Sequence, residues 1–143
     1  MRPGAPDELE AVLAVWRAAE AEPSVTDDVE SLRCLLAHER GSLLVAELQG
    51  GEGEGDSEIV GTLIAAWDGW RGNLYRLAVL PRHRRRGYGV ELVRHGEQAL
   101  RRQGARRVAA VVVEDHDHAT GFWRAAGYER QSLRLRFVKH LGT

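Results

Sequence analysis

The amino-acid sequence predicts an α/β fold with one mixed central β-sheet flanked by helices. The first observation is a strand–helix–strand order over residues 74–113, which requires a right-handed crossover and parallel pairing of the two strands. The second is a pair of apolar segments at 42–48 and 59–67, separated by a Gly- and acid-rich stretch as in an antiparallel hairpin. The chain has 143 residues, which suits one domain spanning 1–143.

Two helices are predicted before the hairpin. The first covers 7–21, where apolar residues recur at helical spacing and Asp7 with Glu10 forms the pattern of a capping box. The second covers 27–39 and ends before Gly41, because glycine commonly follows the last turn of a helix.

The rest of the chain alternates strands and helices. A strand at 74–80 ends at Pro81, and a helix follows from Gly87 to Gln103. The apolar run at 106–113 predicts a strand that is covered on both faces. A short helix at 118–126 and a final strand at about 128–138 complete the predicted order.

Composition indicates a cytoplasmic protein. The single cysteine, Cys34, excludes an internal disulfide and suits a reducing compartment. The first ten residues lack the apolar segment of a signal peptide, and no run approaches the roughly 18–20 apolar residues of a membrane span. We therefore expect no membrane partner.

The segment PRHRRRGYG at 81–89 joins a predicted strand to a predicted helix. Backbone N–H groups at a helix start have no acceptor within the helix, and Gly87 and Gly89 let a ligand approach them closely. The amides of residues 85–90 could therefore hold a diphosphate, with arginine side chains adding charged hydrogen bonds. The other interpretation is a glycine-hinged loop with solvated arginines.

A different hypothesis assigns the arginines to nucleic-acid binding. They form two clusters at opposite ends of one predicted helix and need not share a face. The formal net charge is −1, whereas nucleic-acid-binding domains are more often basic, so we expect no nucleic-acid partner. The residues concerned are Arg82, Arg84, Arg85, Arg86, Arg101, Arg102, Arg106 and Arg107.

Two segments resemble signatures of the GCN5-related N-acetyltransferase (GNAT) family. In LAVLPRHRRRGYG, Arg84, Gly87 and Gly89 fit the acetyl-CoA signature: Arg or Gln, two residues, Gly, one residue, Gly or Ala. ATGFWRAAGYE, from Ala119, resembles the second signature, in which Ala, two residues and Phe-Tyr precede three residues and Gly-Phe. DGWRG at 68–72 resembles a turn of small bacterial members of the family.

The resemblance implies a GNAT-like fold in which the fourth and fifth family strands splay apart and leave a wedge for the thioester of acetyl-CoA. It places the diphosphate on the backbone of 85–90 and the pantetheine arm along the strand at Leu77–Val79. The residues expected to bind acetyl-CoA are Leu77, Ala78, Val79, Arg84, Arg85, Arg86, Gly87, Tyr88, Gly89, Val90, His116 and Trp123.

The reaction that the resemblance implies is direct attack of a neutral amine on acetyl-CoA, with the Val79 backbone amide near the thioester carbonyl. The family tyrosine often proposed to protonate the leaving thiolate is replaced by Trp123, which cannot act as that acid. We expect Tyr75 and Glu114 to be the catalytic candidates. Alternatively, Tyr75 is a core aromatic residue and Glu114 is a solvated or helix-capping acid. A proton pathway of ordered water without an essential base is equally compatible with the sequence.

The acceptor side is expected at 20–28 and at the turn 68–71, where acids would suit a cationic amine. The sequence does not identify this amine, which is a small molecule or a peptide. The EDHDH segment at 114–118 lacks an evident further ligand, so we expect no metal. The alternative to an enzyme is a catalytically silent module that binds acetyl-CoA or coenzyme A as a sensor. Dimers are frequent in the family, so a homodimer is compatible with either function.

Overall fold

The computed structural model of the chain describes residues 1–21, 23–39, 41–50, 57–112 and 117–142. The chain divides into two compact units, Met1–Val111 and Val112–Thr143. The first unit contains the sheet and the predicted phosphate loop, and the second contains the last helix.

The first unit contains one five-stranded sheet with the order β1-β2-β3-β4-β5. Pairing is antiparallel from β1 to β4 and parallel between β4 and β5, which confirms the predicted mixed sheet. Its strands are β1 (Arg2–Pro3), β2 (Leu43–Gln49), β3 (Ser57–Trp67), β4 (Gly72–Val79) and β5 (Val108–Ala110), and its helices are α1 (Leu9–Ala18), α2 (Val29–His38) and α3 (Tyr88–Gln103).

Helices α1 and α3 cover opposite faces of the sheet. Successive residues of a strand face opposite sides, and neighbours on β3 contact different helices. Thr62 accepts a hydrogen bond from the indole of Trp16 on α1 at 2.8 Å. Leu63 lies against Gly96 of α3, where an added Cβ would stand 2.9 Å from the leucine Cδ2. The sheet therefore has a packed helix on each side.

The N-terminus differs from the prediction in two respects. A 3₁₀ turn at Pro6–Glu8 precedes α1, and the carboxylate of Glu8 accepts from the backbone N–H of Ala5 at 2.9 Å, so the predicted Asp7–Glu10 capping box is wrong. The two-residue strand β1 precedes this turn. Arg2 anchors β1 by binding Glu8 and Glu47 of β2, a long-range ion pair that periodicity does not reveal.

Strand β5 is shorter and more exposed than the predicted strand at 106–113. It pairs with β4 only from Gly72 to Leu74, whereas β4 continues to Val79. The expected coverage on both faces is wrong, since Ala109 and Val111 are exposed. The splayed arrangement of these two strands is confirmed: β5 pairs only with the first three residues of β4, and within the described residues β4 continues to Val79 without further pairing to it.

The second unit contains α4 (Asp117–Ala125), close to the predicted helix. Its described residues after α4 form turns and irregular backbone, so the predicted final strand at 128–138 is wrong. Apolar residues alternate there, but a strand also needs a hydrogen-bonding neighbour, and Leu133, Leu135 and Phe137 are 82–91% exposed. Among the described residues, no helix is long and apolar enough to cross a membrane.

The Thr62 hydroxyl joins α1 to β4 through two hydrogen bonds. It accepts from Trp16 Nε1 at 2.8 Å and donates to the Arg76 carbonyl at 3.1 Å, and Thr62 is fully buried. A buried polar atom that loses its partner costs the desolvation free energy that the hydrogen bond had offset.

Replacement of Thr62 by valine should therefore lower the free energy of unfolding by about 1–3 kcal/mol, since it leaves the buried Trp16 N–H without an acceptor. Urea denaturation measures the change. In a Trp16→Phe background no indole N–H remains, so the same replacement should cost much less. Equal costs in the two backgrounds would contradict this role of the hydroxyl.

Candidate functional site

The loop between β4 and α3 has a left-handed backbone at two positions. After the 3₁₀ turn Pro81–His83, Arg85 has φ 63° and Gly87 has φ 87°. Gly87 is the N-cap of α3, so glycine fits where the chain must turn sharply into the helix. Arg85 adopts a conformation that few side-chain-bearing residues favour. These two turns orient the peptide groups at the start of α3.

The backbone N–H groups of residues 85–90 have no backbone acceptor among the described residues. In the described part of the chain, Glu91 is the first residue of α3 whose N–H has a backbone acceptor, the Gly87 carbonyl at 3.1 Å. Consecutive unpaired N–H groups and the positive end of the helix dipole both favour an anion. A helix start with unpaired amides is the kind of place where proteins bind phosphate groups, and the diphosphate site stays a prediction.

The arginines of this loop are not equivalent. Arg82 pairs with Glu58 of β3. Arg84 donates to the Val79 carbonyl at 3.3 Å and to the Ala19 carbonyl at 3.4 Å. Arg86 lies 3.2 Å from His83 Nδ1. Within the described residues, Arg85 alone among the four has neither an ion pair nor a hydrogen bond from its side chain, so it is the arginine most available to a ligand.

His83 is the buried residue of this basic segment, with 8% of its surface exposed. Burial, and then the charges of Arg86 and Arg82, lower the pKa of His83 below its ordinary value of 6.5. The imidazole is therefore neutral at pH 7, and its Nδ1 can accept a hydrogen bond from Arg86. Nothing in the sequence singles out His83, because a histidine among arginines gives no sign of its burial.

The backbone N–H and carbonyl of Val79 point away from β3. Leu80 N–H donates to the Val60 carbonyl at 2.8 Å, and the groups that point to one neighbour alternate along a strand. The N–H and carbonyl of Val79 therefore point to the opposite edge, and its carbonyl accepts from Arg84 there. In the described part of the chain, β5 pairs with β4 only up to Leu74, and no backbone acceptor is found there for the Val79 N–H.

The backbone of β4 is irregular at Arg76, in the middle of the strand. The pairing register between β3 and β4 shifts here, and Arg76 has φ 54°. Its guanidinium donates to both carboxylate oxygens of Asp27 at 2.8 Å and lies 5.3 Å from the ring of Trp16. The side chains of Arg76 and Asp27 are each 20% exposed. This ion pair therefore links the α1–α2 connection, the segment between these two helices, to β4.

The acids predicted on the acceptor side are largely bound within the protein. Asp27 pairs with Arg76, and Asp28 caps α2 by accepting from Ser31 N–H at 2.7 Å. Asp68 accepts from the backbone N–H groups of Arg71 and Trp70, which hold the pKa of its carboxyl below the usual value. These carboxylates therefore have structural partners already.

Trp70 at the β3–β4 turn is 70% exposed, and the Arg71 guanidinium stacks 3.9 Å from its ring centre. Tyr75 is 37% exposed and lies opposite Ile64 of β3. It therefore belongs to the partly open surface of the sheet and is not a core aromatic residue.

The remaining predicted residues divide between the two units. Leu77, Ala78 and Val79 lie on β4, with Ala78 buried. Trp123 belongs to the second unit, where its ring makes edge contacts with Phe122 at 5.3 Å and Tyr128 at 4.9 Å. Glu114 and His116 lie outside the described residues, as does most of the EDHDH segment.

A mixed sheet with splayed β4 and β5, and a loop with unpaired amides leading into α3, defines a GNAT-type acyltransferase fold. Comparison with known proteins agrees with that class. The model of the acetyltransferase (GNAT) family matches residues 9–128. The chain therefore belongs to the GNAT family and is an N-acetyltransferase.

Three similar proteins illustrate the relationship. Acetyltransferase ECA0875 of Pectobacterium atrosepticum is 32% identical over 123 residues, which cover 86% of this chain and 82% of the relative. The aminoglycoside 6'-N-acetyltransferase AAC(6')-IG from Acinetobacter haemolyticus has a TM-score of 0.73 at 20% identity, with 99% and 98% coverage. PaiA N-acetyltransferase from Thermoplasma acidophilum, in complex with coenzyme A, has a TM-score of 0.70 at 16% identity, with 91% and 89% coverage. The two structures show the shared fold.

The Asp27–Arg76 ion pair should stabilise the protein more than an exposed pair does. In a double-mutant cycle of Asp27→Asn and Arg76→Gln, urea denaturation should give a coupling free energy of about 1 kcal/mol, since both side chains are largely buried. The exposed Glu91–Arg94 pair on α3 is the matched control and should couple by less than about 0.5 kcal/mol. Similar coupling in both pairs would contradict the assignment.

Proposed function

We propose that this acetyltransferase moves the acetyl group of acetyl-CoA to a primary amine of a small molecule or peptide by direct attack. The observation that carries the proposal is the row of unpaired amides at 85–90 beside an open edge of β4. The first feature suits a diphosphate and the second suits an extended amide-containing arm. Coenzyme A contains both groups in series.

The donor side is proposed to run from the start of α3 to the C-terminal end of β4. The amides of 85–90 bind the diphosphate, with Tyr88, Gly89 and Val90 supplying the first turn of α3. The side chains of Arg85 and Arg86 add charge, whereas Arg84 contributes by holding the Val79 and Ala19 carbonyls. The pantetheine arm lies along Leu77–Val79 as an added strand, so its amides pair with the backbone.

The Val79 N–H is proposed to stabilise the reacting carbonyl oxygen. It points to the free edge of β4, where a donor can meet the negative charge that develops on that oxygen. The amine nitrogen forms a bond to the carbonyl carbon while the carbon–sulfur bond breaks. The amine then loses one proton, and the leaving thiolate gains one.

The two proton transfers are proposed for Tyr75 and Glu114. The partly exposed Tyr75 on β4 would give its proton to the thiolate, and Glu114 would accept the proton of the amine directly or through water. Trp123 and His116 are proposed as further contacts of coenzyme A. The proposal for Tyr75 is supported by its place on the same strand as Val79.

Binding of the donor is tested by a thermal-shift titration of the wild type against Gly89→Glu. Acetyl-CoA at about 100 times its dissociation constant should stabilise the wild type by roughly 2.7 kcal/mol. The glutamate places bulk and negative charge at the diphosphate and should abolish the shift. Gln98→Glu, an exposed position on the same helix, adds the same charge and should keep it. An unchanged shift in Gly89→Glu would contradict the proposed site.

The sensor hypothesis is kept because Trp123 replaces the family tyrosine. The two hypotheses differ in turnover, which a screen for released free thiol measures with polyamines, amino acids, aminoglycosides and peptide N-termini as acceptors. We expect at least one class to release thiol above the rate without amine, and Tyr75→Phe to lower that rate. Donor binding without thiol release from any class would favour the sensor.

A further inference from the structure

We propose that His83 is a positioning residue for phosphate binding, because its Nδ1 accepts a hydrogen bond from Arg86 and holds that guanidinium beside the loop 85–90. The inference rests on the proposed coenzyme A site and adds to it the residue that orients one of its charges. The ligand chemistry concerned is a phosphate group, either in the diphosphate or in the 3′-phosphate of coenzyme A.

The imidazole of His83 has a fixed place. Its backbone N–H donates to the Leu80 carbonyl at 2.9 Å, and its ring makes an edge contact with Tyr88 of α3, with ring centres 6.3 Å apart. Arg86 is exposed, and Nη1 of its guanidinium lies 3.2 Å from His83 Nδ1. A buried ring therefore restrains an exposed and otherwise flexible side chain.

The other ring nitrogen defines the tautomer that this role needs. When Nδ1 accepts from Arg86, the proton is on Nε2. His83 Nε2 is buried and has no hydrogen-bond partner among the described residues, but it lies 3.8 Å from the Glu58 carboxylate, which also pairs with Arg82. The carboxylate attracts the proton on Nε2 and so favours the tautomer whose Nδ1 accepts. Glu58, His83 and Arg86 form a directed polar chain.

The charge state of His83 couples this chain to pH. The groups that face the imidazole are Glu58 from β3, Arg82 and Arg86 from the loop, and Tyr88 from α3. Burial and the two arginines lower the pKa of His83, so the neutral form predominates at pH 7. Below that pKa, Nδ1 becomes a donor that faces a guanidinium. The hydrogen bond is lost, and two like charges repel.

The test measures coenzyme A affinity by calorimetry at pH 7.5 for His83→Phe and His83→Asn. Phenylalanine fills the ring volume without an acceptor and should weaken binding about tenfold, a typical loss when an orienting hydrogen bond to a charged group is removed. Asparagine places a carbonyl oxygen near the position of Nδ1 and should restore most of the affinity. Arg82→Gln, which also removes a partner of Glu58 but leaves Arg86 in place, should bind nearly as the wild type does.

Two further measurements separate positioning from a structural role. In an Arg86→Gln background, His83→Phe should cause no additional loss of affinity, because there is no guanidinium left to orient. The ratio of wild-type to His83→Phe affinity should fall as the pH is lowered from 7.5 to 5, and this ratio cancels titration of the ligand phosphate. Dephospho-coenzyme A distinguishes the phosphates: a smaller effect of His83→Phe on this ligand assigns Arg86 to the 3′-phosphate, and an equal effect assigns it to the diphosphate.

Wild-type affinity in His83→Phe, an equal loss in the Arg86→Gln background, or a ratio that rises at low pH would overturn the role of His83 while leaving the coenzyme A site intact. A wild-type protein that does not bind coenzyme A would overturn the proposed function itself, and the role of His83 with it.

Discussion

The left-handed turn at Arg85 and Gly87 is the constraint on which the proposed site depends. This turn lies between β4 and α3, and the N–H groups that follow it at the start of α3 lack backbone acceptors among the described residues. The cost of a left-handed arginine and of unpaired donors is met by the packing of α3 on the sheet, where Leu92 and Leu100 are fully buried. A side-chain N-cap would normally accept hydrogen bonds from these backbone N–H groups. Gly87 has no such side chain, so the N–H groups can donate to the diphosphate that we propose.

The proposed donor and acceptor sides are joined through β4. Arg84 links the end of β4 to Ala19, which follows α1, and Arg76 links its irregular middle to Asp27 before α2. Thr62 adds a buried connection from Arg76 to Trp16 of α1. The α1–α2 connection, where we expect the acceptor, is therefore held to the strand that we propose for the pantetheine arm. An amine and a thioester must meet in a defined geometry, and these contacts can provide it.

Local signals predicted most helices and the middle strands, because periodicity and glycine stops report on a segment by itself. The arrangement of Gly87 and Gly89 between a strand and a helix likewise predicted where unpaired amides would lie. Two local patterns led to wrong predictions: Glu8, not Asp7 or Glu10, accepts from the backbone N–H of Ala5 in the 3₁₀ turn before α1, and the alternating residues around Leu135 do not form a strand. The role of Arg76 and the burial of His83 arise from contacts across the sheet, which spacing along the chain does not encode.

Binding of coenzyme A by the backbone at the start of α3 can be measured through amide chemical shifts in ¹⁵N-labelled protein during titration with coenzyme A. We expect the largest changes at the amides of 85–90, together with Val79 on the edge of β4 that does not face β3. The amides of Gly104 and Arg107 at the far end of α3 should change little. Changes concentrated at that far end, or none at 85–90 with saturating ligand, would contradict it.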